Sequence, residues 1–207
     1  MNSLKKLIEN PISAFIGSMI AVAMSILSLV FAHQAHQLSV LEFKQERYLI
    51  LKGTFKDEGK SVYVASASNE SYFLKGEVFF PPLIHEYSAP IDSSGKFWHM
   101  GSVMHELQEL TLKHVQPESG VVKFSNGDIP IIIKSYYASK GEAYTDVSLY
   151  MLGMEVFIED KEYSRPRITL NSLSFVQRLD PNIPINQAQL NDFVNNKGNW
   201  YLPTNQP

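Results

Sequence analysis

Cysteine is missing from this 207-residue chain. That excludes disulfides, iron–sulfur clusters, thiolate zinc sites and cysteine nucleophiles, though it does not choose a compartment. Arginine is scarce, with four residues, and 18 Lys and Arg against 21 Asp and Glu leave a net charge of −3. A chain so balanced has no global attraction to duplex nucleic acid or to an anionic membrane surface. Diagnostic catalytic spacings are missing as well. His105-Glu106 is followed at position 109 by Glu109 rather than a second histidine, so the zincin pattern fails. Gly95-Lys96 is followed by Phe97 and preceded, five residues back, by Pro90, so there is no phosphate loop. No Gly-x-Ser-x-Gly elbow occurs, and no pair of acids has a catalytic signature. The expectation is a protein without enzymatic activity and without a cofactor.

Charge is also missing locally, and here the absence is informative. No charged residue lies between Glu9 and Glu42, and Ile12–Ala32 is a mostly apolar run of 21 residues. At about 1.5 Å per helical residue this matches a hydrocarbon core of roughly 30 Å. Pro11 stands at the start, where a helix tolerates proline. The run reads as a transmembrane helix over 11–32, after a flank at 1–10 and before a polar helical stalk at 33–47. A cleavable signal peptide is the competing reading, and the run is too long for its apolar region. Lys5 and Lys6 lie closer to the run than Lys44 and Arg47. The positive-inside rule then favours a soluble part outside the cytoplasm, anchored in an inner membrane.

Small residues in this helix form a seam. Ala14, Ser18, Ala21, Ser25, Ser28, Ala32, Ala35 and Ser39 are spaced 4, 3, 4, 3, 4, 3 and 4, a heptad-type row. In lipid, small side chains let helix backbones approach closely, and serine hydroxyls can bond across the contact. A homo-oligomer is expected, with the bilayer as the helix's other partner.

From Tyr48 the pattern changes to short alternating runs, which marks residues 48–180 as a β-rich domain. Strand candidates are 48–55, 61–68, 72–80, 95–101, 120–125, 130–139, 145–152 with 154–160, and 167–179, separated by turn signals. Ser125-Asn126-Gly127-Asp128 and Ser139-Lys140-Gly141 read as hairpin turns. This spacing indicates a mainly β fold, an antiparallel sandwich or barrel-like domain with one or two short helices. Residues 103–115 read as an amphipathic helix burying Val103, Leu107, Leu110 and Val115, or as a strand. An Asn/Gln-rich tail, 181–207, carries a short helix signal at 185–196.

Candidate ligand-binding residues are few. Arg165 and Arg167 flank Pro166 in a loop, where guanidinium forks can bind phosphate or carboxylate. Trp98 and Tyr137 supply rings that can stack on a ligand or on a partner side chain, although every second residue of a strand faces the core. His33 and His36 share a helix face, but two ligands do not make a metal site, so no metal is expected.

The junction HQAHQLSVLEF (33–43) resembles a set of uncharacterised bacterial single-pass membrane proteins. Those have an N-terminal helix, an "LSV" triplet and a β-rich soluble domain, and KGEAYTDVSLYML (140–152) is similar to hairpins in them. This resemblance implies an architecture and no activity. The same architecture is similar to membrane-anchored effectors of antiphage defence, in which a cytoplasmic domain binds a nucleotide signal. Two functions follow as expectations. One is a membrane-anchored sensor binding a ligand or protein partner; the other is a membrane-perturbing effector gated by a nucleotide.

The seam is open to a direct test, because a cysteine-free chain accepts single cysteines cleanly. Crosslinking between copies is expected to peak at positions 18, 21, 25 and 28. Ala21→Leu or Ser25→Leu should reduce the detergent-resistant oligomer, whereas Ile20→Leu or Val22→Leu should not. Uniform or absent crosslinking across 14–32 rules the seam out.

Overall fold

The computed structural model describes residues 11–45, 47–115, 117–159, 161 and 164–191. The chain divides into two compact units, Met1–Tyr48 and Leu49–Pro207.

In the first unit a single helix, α1 (Pro11–Gln45), runs 35 residues without a break between the expected span and the expected stalk. Its segment Phe15–Val40, 26 residues with a mean hydropathy of 2.3, is long and apolar enough to cross a membrane, and none of it is buried. From Ser18 to Ser39 the seam side chains are exposed, and Ala14 belongs to the same helix. Ser18 Oγ donates to Phe15 O and Ser25 Oγ to Ala21 O, both at 2.8 Å. These hydroxyls are therefore satisfied within their own helix.

The second unit is antiparallel β. Strands β1 (Leu51–Lys56) and β2 (Ser61–Ser66) form a hairpin. Strands β3 (Ser71–Phe79), β4 (Ala89–Ile91), β5 (Lys123–Ser139), β6 (Glu142–Ile158) and β7 (Arg167–Leu179) form a sheet of order β4-β3-β5-β6-β7. The hairpin is stitched to this sheet on both sides. Val64 N–H donates to Gly95 O (2.8 Å) and Phe97 N–H to Val62 O (2.9 Å), while Ile91 bridges Phe97. Opposite, Leu170 N–H donates to Gly59 O at 3.3 Å. The result is a barrel-like closure of the mainly β fold. Glycine is needed at both seams. A Cβ at Gly59 (φ 78°) would stand 2.5 Å from the Leu170 backbone, and one at Gly95 (φ 81°) 1.8 Å from Val64 O.

Several strand boundaries differ from the sequence pattern. Asn126-Gly127 is not a turn but lies inside β5, opposite Glu155 and Met154, so 123–125 and 130–139 belong to one strand, while 120–122 precede it. The pairing of β5 with β6 is continuous from Ser139↔Glu142 to Lys123↔Ile158, and it overrides the local Asn-Gly preference. The actual turn is Lys140-Gly141, both left-handed (φ 49° and 82°), as a two-residue hairpin requires. Pro130 is tolerated because β3 stops pairing with β5 at Phe79↔Ile132 and leaves that side of β5 open. The 95–101 run is not a strand either. Only Lys96 and Phe97 make bridges, His99 turns left-handed (φ 60°), and helix α2 (Met100–His114) begins.

Helix α2 settles the ambiguity at 103–115. Val103 and Leu107 are fully buried and Val115 lies in extended chain just past the helix end. Leu110 is only half-buried; Met100 and Thr111 complete the stripe instead. Thr111 enters the core because its hydroxyl donates to Leu107 O at 2.8 Å.

The main core lies inside the closure, where Leu51, Val62, Phe97, Leu107, Ile131, Ile133 and Leu152 meet. A second, smaller core lies on the other face of β5 and β6. There Ile132, Val147 and Leu149 are covered by Leu190 and Ile185 of the tail. Residues 181–191 thus pack on the β domain, with a helical turn at 188–191; the rest of the expected 185–196 helix lies outside the described residues. Burial on both faces explains the unbroken Ile131-Ile132-Ile133 run.

One polar cluster crosses the closure. Arg178 of β7 makes an ion pair with Asp146 of β6 and donates to Leu49 O (2.8 Å), where the chain joins the domain. Ser148 Oγ donates to the same carboxylate at 2.6 Å. Tyr150 OH accepts from Leu51 N–H at 3.1 Å, and burial pushes its phenol up to about 12. Asp146 is 4% exposed. Asp146→Ala leaves a mostly buried guanidinium without its carboxylate and should cost about 3 kcal/mol. Urea unfolding of the full chain in detergent, followed by tryptophan fluorescence, measures it; an unchanged midpoint would refute the role given to the pair.

Candidate functional site

Strands β2 and β3 are joined by the four residues 67–70, yet they do not pair with each other. β2 bonds to β1 and to the 95–97 segment; β3 bonds to β5 and to β4. The strands therefore splay, and an open cleft of about 480 Å³ lies between them. That volume is in the range of small-ligand sites. Its walls come from Val64–Ser66, Ser68–Asn69, Ser71–Phe73 and Ser93–Ser94.

Both rims are held by local hydrogen bonds. On one side Ser66 Oγ donates to Ser68 O (2.8 Å) and accepts from Ser68 N–H (3.1 Å), and Ser68 Oγ accepts from Glu70 N–H (3.1 Å). On the other, the Asp92 carboxylate accepts from Ser94 Oγ (2.6 Å), Ser94 N–H (2.9 Å), Lys96 N–H (3.2 Å) and Trp98 Nε1–H (3.1 Å). The Ser94 hydroxyl, more than the Lys96 and Ser94 amides and the Trp98 indole, holds this carboxyl below its ordinary range.

The chemistry of the lining is uniform. Five serines, an asparagine and Tyr72 offer hydrogen bonds, Phe73 and Val64 offer apolar surface, and no lining residue is a lysine, arginine, aspartate or glutamate. Behind the wall, the hydroxyls of Ser71, Ser135 and Ser139 are buried and have no hydrogen-bond partner among the described residues. Ser71 stands directly opposite Ser139 across β3 and β5. The lining thus offers hydrogen-bond donors and acceptors and no charged side chain.

The residues singled out from sequence do not gather here. Trp98 is about half exposed; its indole is tied to Asp92, with Lys96 Nζ 5.8 Å from its ring centre, and it supports the rim rather than lining the cleft. Tyr137 is a correction. It is 4% exposed and packs its ring on Tyr144 at 5.6 Å, because odd-numbered positions in this stretch of β5 face the core. Its neighbour Tyr136 takes the outer face, between Lys75 and Lys134. Arg165 pairs with Glu109 of α2 at 3.8 Å, and Arg167 lies over the Phe157 ring at 4.8 Å. Pro166 O accepts from Gln108 Nε2 at 2.9 Å, so this loop is fastened to α2. Arg167, which starts β7 opposite Phe157, and Tyr137 of β5, opposite Tyr144, lie toward opposite ends of β6. The serines of the cleft carry no motif; their only signal is the density of Ser over residues 61–71 and 93–94. Among the described residues no group of three or more His, Asp or Glu gathers as for a metal, and His33 bonds to Gln37 at 3.0 Å.

Beside the α2 start, His85 stacks on His99 (6.3 Å, 26°) and meets Phe80 edge-on. Burial lowers the His85 pKa, and the His99 ring lowers it further, against an opposing pull from Glu106. A histidine depressed in the folded state takes up its proton more readily when unfolded. Its contribution is therefore complete above the ordinary value of 6.5 and is lost as pH falls below it. Melting midpoints between pH 8 and pH 5 should fall less for His85→Gln than for the parent chain; identical slopes would remove His85 as the cause.

Comparison with protein-family models, with curated proteins and with solved structures finds no match to this chain.

Proposed function

We propose that this chain is a non-enzymatic, membrane-anchored binding protein: α1 holds it in the bilayer and self-associates, and the β domain takes an uncharged ligand in the serine-lined cleft. The observation that carries this reading is the cleft itself, about 480 Å³ of space walled by hydroxyl, amide and aromatic groups and by no charged side chain. The length and hydropathy of Phe15–Val40 support the anchor. Lys5 and Lys6 ahead of the helix support a β domain outside the cytoplasm. A nucleotide-gated effector is the less supported reading. Its anion would find no cation in the cleft, and the guanidinium groups of Arg165 and Arg167 are engaged by Glu109 and Phe157.

Ser93 lines the cleft from an exposed loop and takes no part in the Asp92 hydrogen bonds, so Ser93→Trp obstructs the site without touching the core. A thermal-shift screen of the full chain should use uncharged peptides, neutral oligosaccharides and cyclic oligonucleotides. A binder at a hundred times its Kd adds about 2.7 kcal/mol of stability. The expected result is a shift from an uncharged compound that Ser93→Trp abolishes while the ligand-free midpoint stays put. A shift from cyclic oligonucleotides alone, retained in Ser93→Trp, would overturn the reading.

A further inference from the structure

We infer that a second site, separate from the cleft, takes a short aliphatic carboxylate: its apolar chain enters the cavity beneath residues 181–184, and the ammonium of Lys134 meets its head group at the edge. No residue of this cavity lines the cleft.

The cavity follows from how the chain leaves the sheet. β7 ends at Leu179, and the chain is next seated by Ile185 and Leu190, on the small core of Ile132, Val147 and Leu149. Between these points residues 181–184 and the strands border a space of about 330 Å³. That volume lies at the lower end of small-ligand sites. The covering turn is stiff. The Asp180 carboxylate accepts from Asn182 N–H and Nδ2–H, both at 2.9 Å, and the Asp180 carbonyl accepts from Ile183 N–H at 3.2 Å. Pro181 and Pro184 fix φ on either side of Asn182-Ile183. A wall ordered beforehand spares a ligand the cost of ordering it.

The lining selects the chemistry. Phe79, Val147, Ile183, Ile185 and the two prolines are apolar, and they favour a ligand for each methylene it withdraws from water. Lys134 is the one charged side chain among the lining residues. Its stem can serve as wall while its ammonium, 5.6 Å from the Tyr136 ring centre, stays near water. The same ring carries Lys75 Nζ at 5.5 Å. Glu77 stands directly opposite Lys134 on β3 and forms no ion pair with it, so two ammonium groups face one carboxylate at this edge. The Asp180 carboxylate is turned to Asn182 and does not line the cavity. One further carboxylate, brought by a ligand, completes the balance, and an ammonium–carboxylate hydrogen bond is of the stronger kind. A phosphate dianion would exceed that balance. A peptide would bring several amides, for which Asn182 is the one side-chain acceptor in the lining.

The test titrates the full chain in phosphatidylcholine nanodiscs with butanoate, hexanoate, octanoate and decanoate, and with the alcohols of equal length, subtracting the heat of empty discs. Binding should tighten about fourfold per added methylene until the cavity is full. Each carboxylate should bind about tenfold tighter than its alcohol, since only the carboxylate offers a charged acceptor to Lys134. Lys134→Gln should remove that preference and leave the alcohols unchanged. Ile183→Glu, at an exposed position of the lining, should repel the carboxylates and spare the alcohols. Octanoate should also slow acetylation of Lys134 by acetic anhydride, read by mass spectrometry, without slowing that of Lys52 on the exposed face of β1. Equal binding of carboxylate and alcohol, or a preference that survives in Lys134→Gln, shows the inference to be wrong. Carboxylate binding that Ser93→Trp abolishes would place the ligand in the cleft and overturn this site alone. Silence of every carboxylate, as when another part of the chain or a second copy fills the cavity, overturns it too and leaves the reading of the cleft untouched.

Discussion

The β domain depends on one ion pair placed where its first and last strands meet. Arg178 reaches from β7 to Asp146 on β6 and, with its other nitrogen, to the carbonyl of Leu49. A pair so enclosed contributes little net energy over an apolar substitute, but neither partner can stand there alone. Its value is geometric. Leu49 O and Leu51 N–H are both captured, by Arg178 and by Tyr150, so β1 begins at a defined place and in a defined register. β1 sets β2 through the register Leu51↔Ser66, and β2 is one wall of the cleft. The geometry of the candidate site is thus inherited, through one hairpin, from a charge pair on its far side.

The cleft itself results from strands that fail to meet. Two adjacent strands joined by a short connection ordinarily make a hairpin. Here the Asp92 loop intervenes: its carboxylate gathers four donors and directs residues 95–97 along β2, while Pro90 and its neighbours pair with β3. The wedge is only a few residues long. It fills the gap at one end and leaves it open at the other, where the serines stand.

The β5–β6 hairpin has the opposite character. It is paired along its whole length and covered on both faces, by α2 and the β1–β2 hairpin on one and by the tail on the other. Gln187 fastens that tail by donating to Phe80 O and His85 O. Residues 181–191 are therefore a packed part of the domain, although their composition is that of a linker. An amide-rich segment buries little apolar area, and Ile185 and Leu190 are sufficient to seat it.

Properties carried by local pattern could be read from the chain alone. The long apolar helix, the mainly β character of the domain and the limits of β7 at Arg167 and Leu179 follow from residue type and period, as do Val103 and Leu107 as buried positions of α2. The Lys140-Gly141 turn follows as well, since few residues accept two left-handed positions in succession. What the tertiary structure decided is non-local. Asn126-Gly127 looks like a turn and became strand because residues nearly thirty positions away pair with it. Tyr137 and Tyr136 are chemically alike, and only the sheet's inner and outer faces distinguish the core residue from the exposed one. Arg165 and Arg167 are free cations in sequence; Glu109 and Phe157, remote in the chain, engage them. The cleft had no motif to announce it. It is made from ordinary serines and from strand edges left open, and an open edge is a property of the assembled sheet that no single segment possesses.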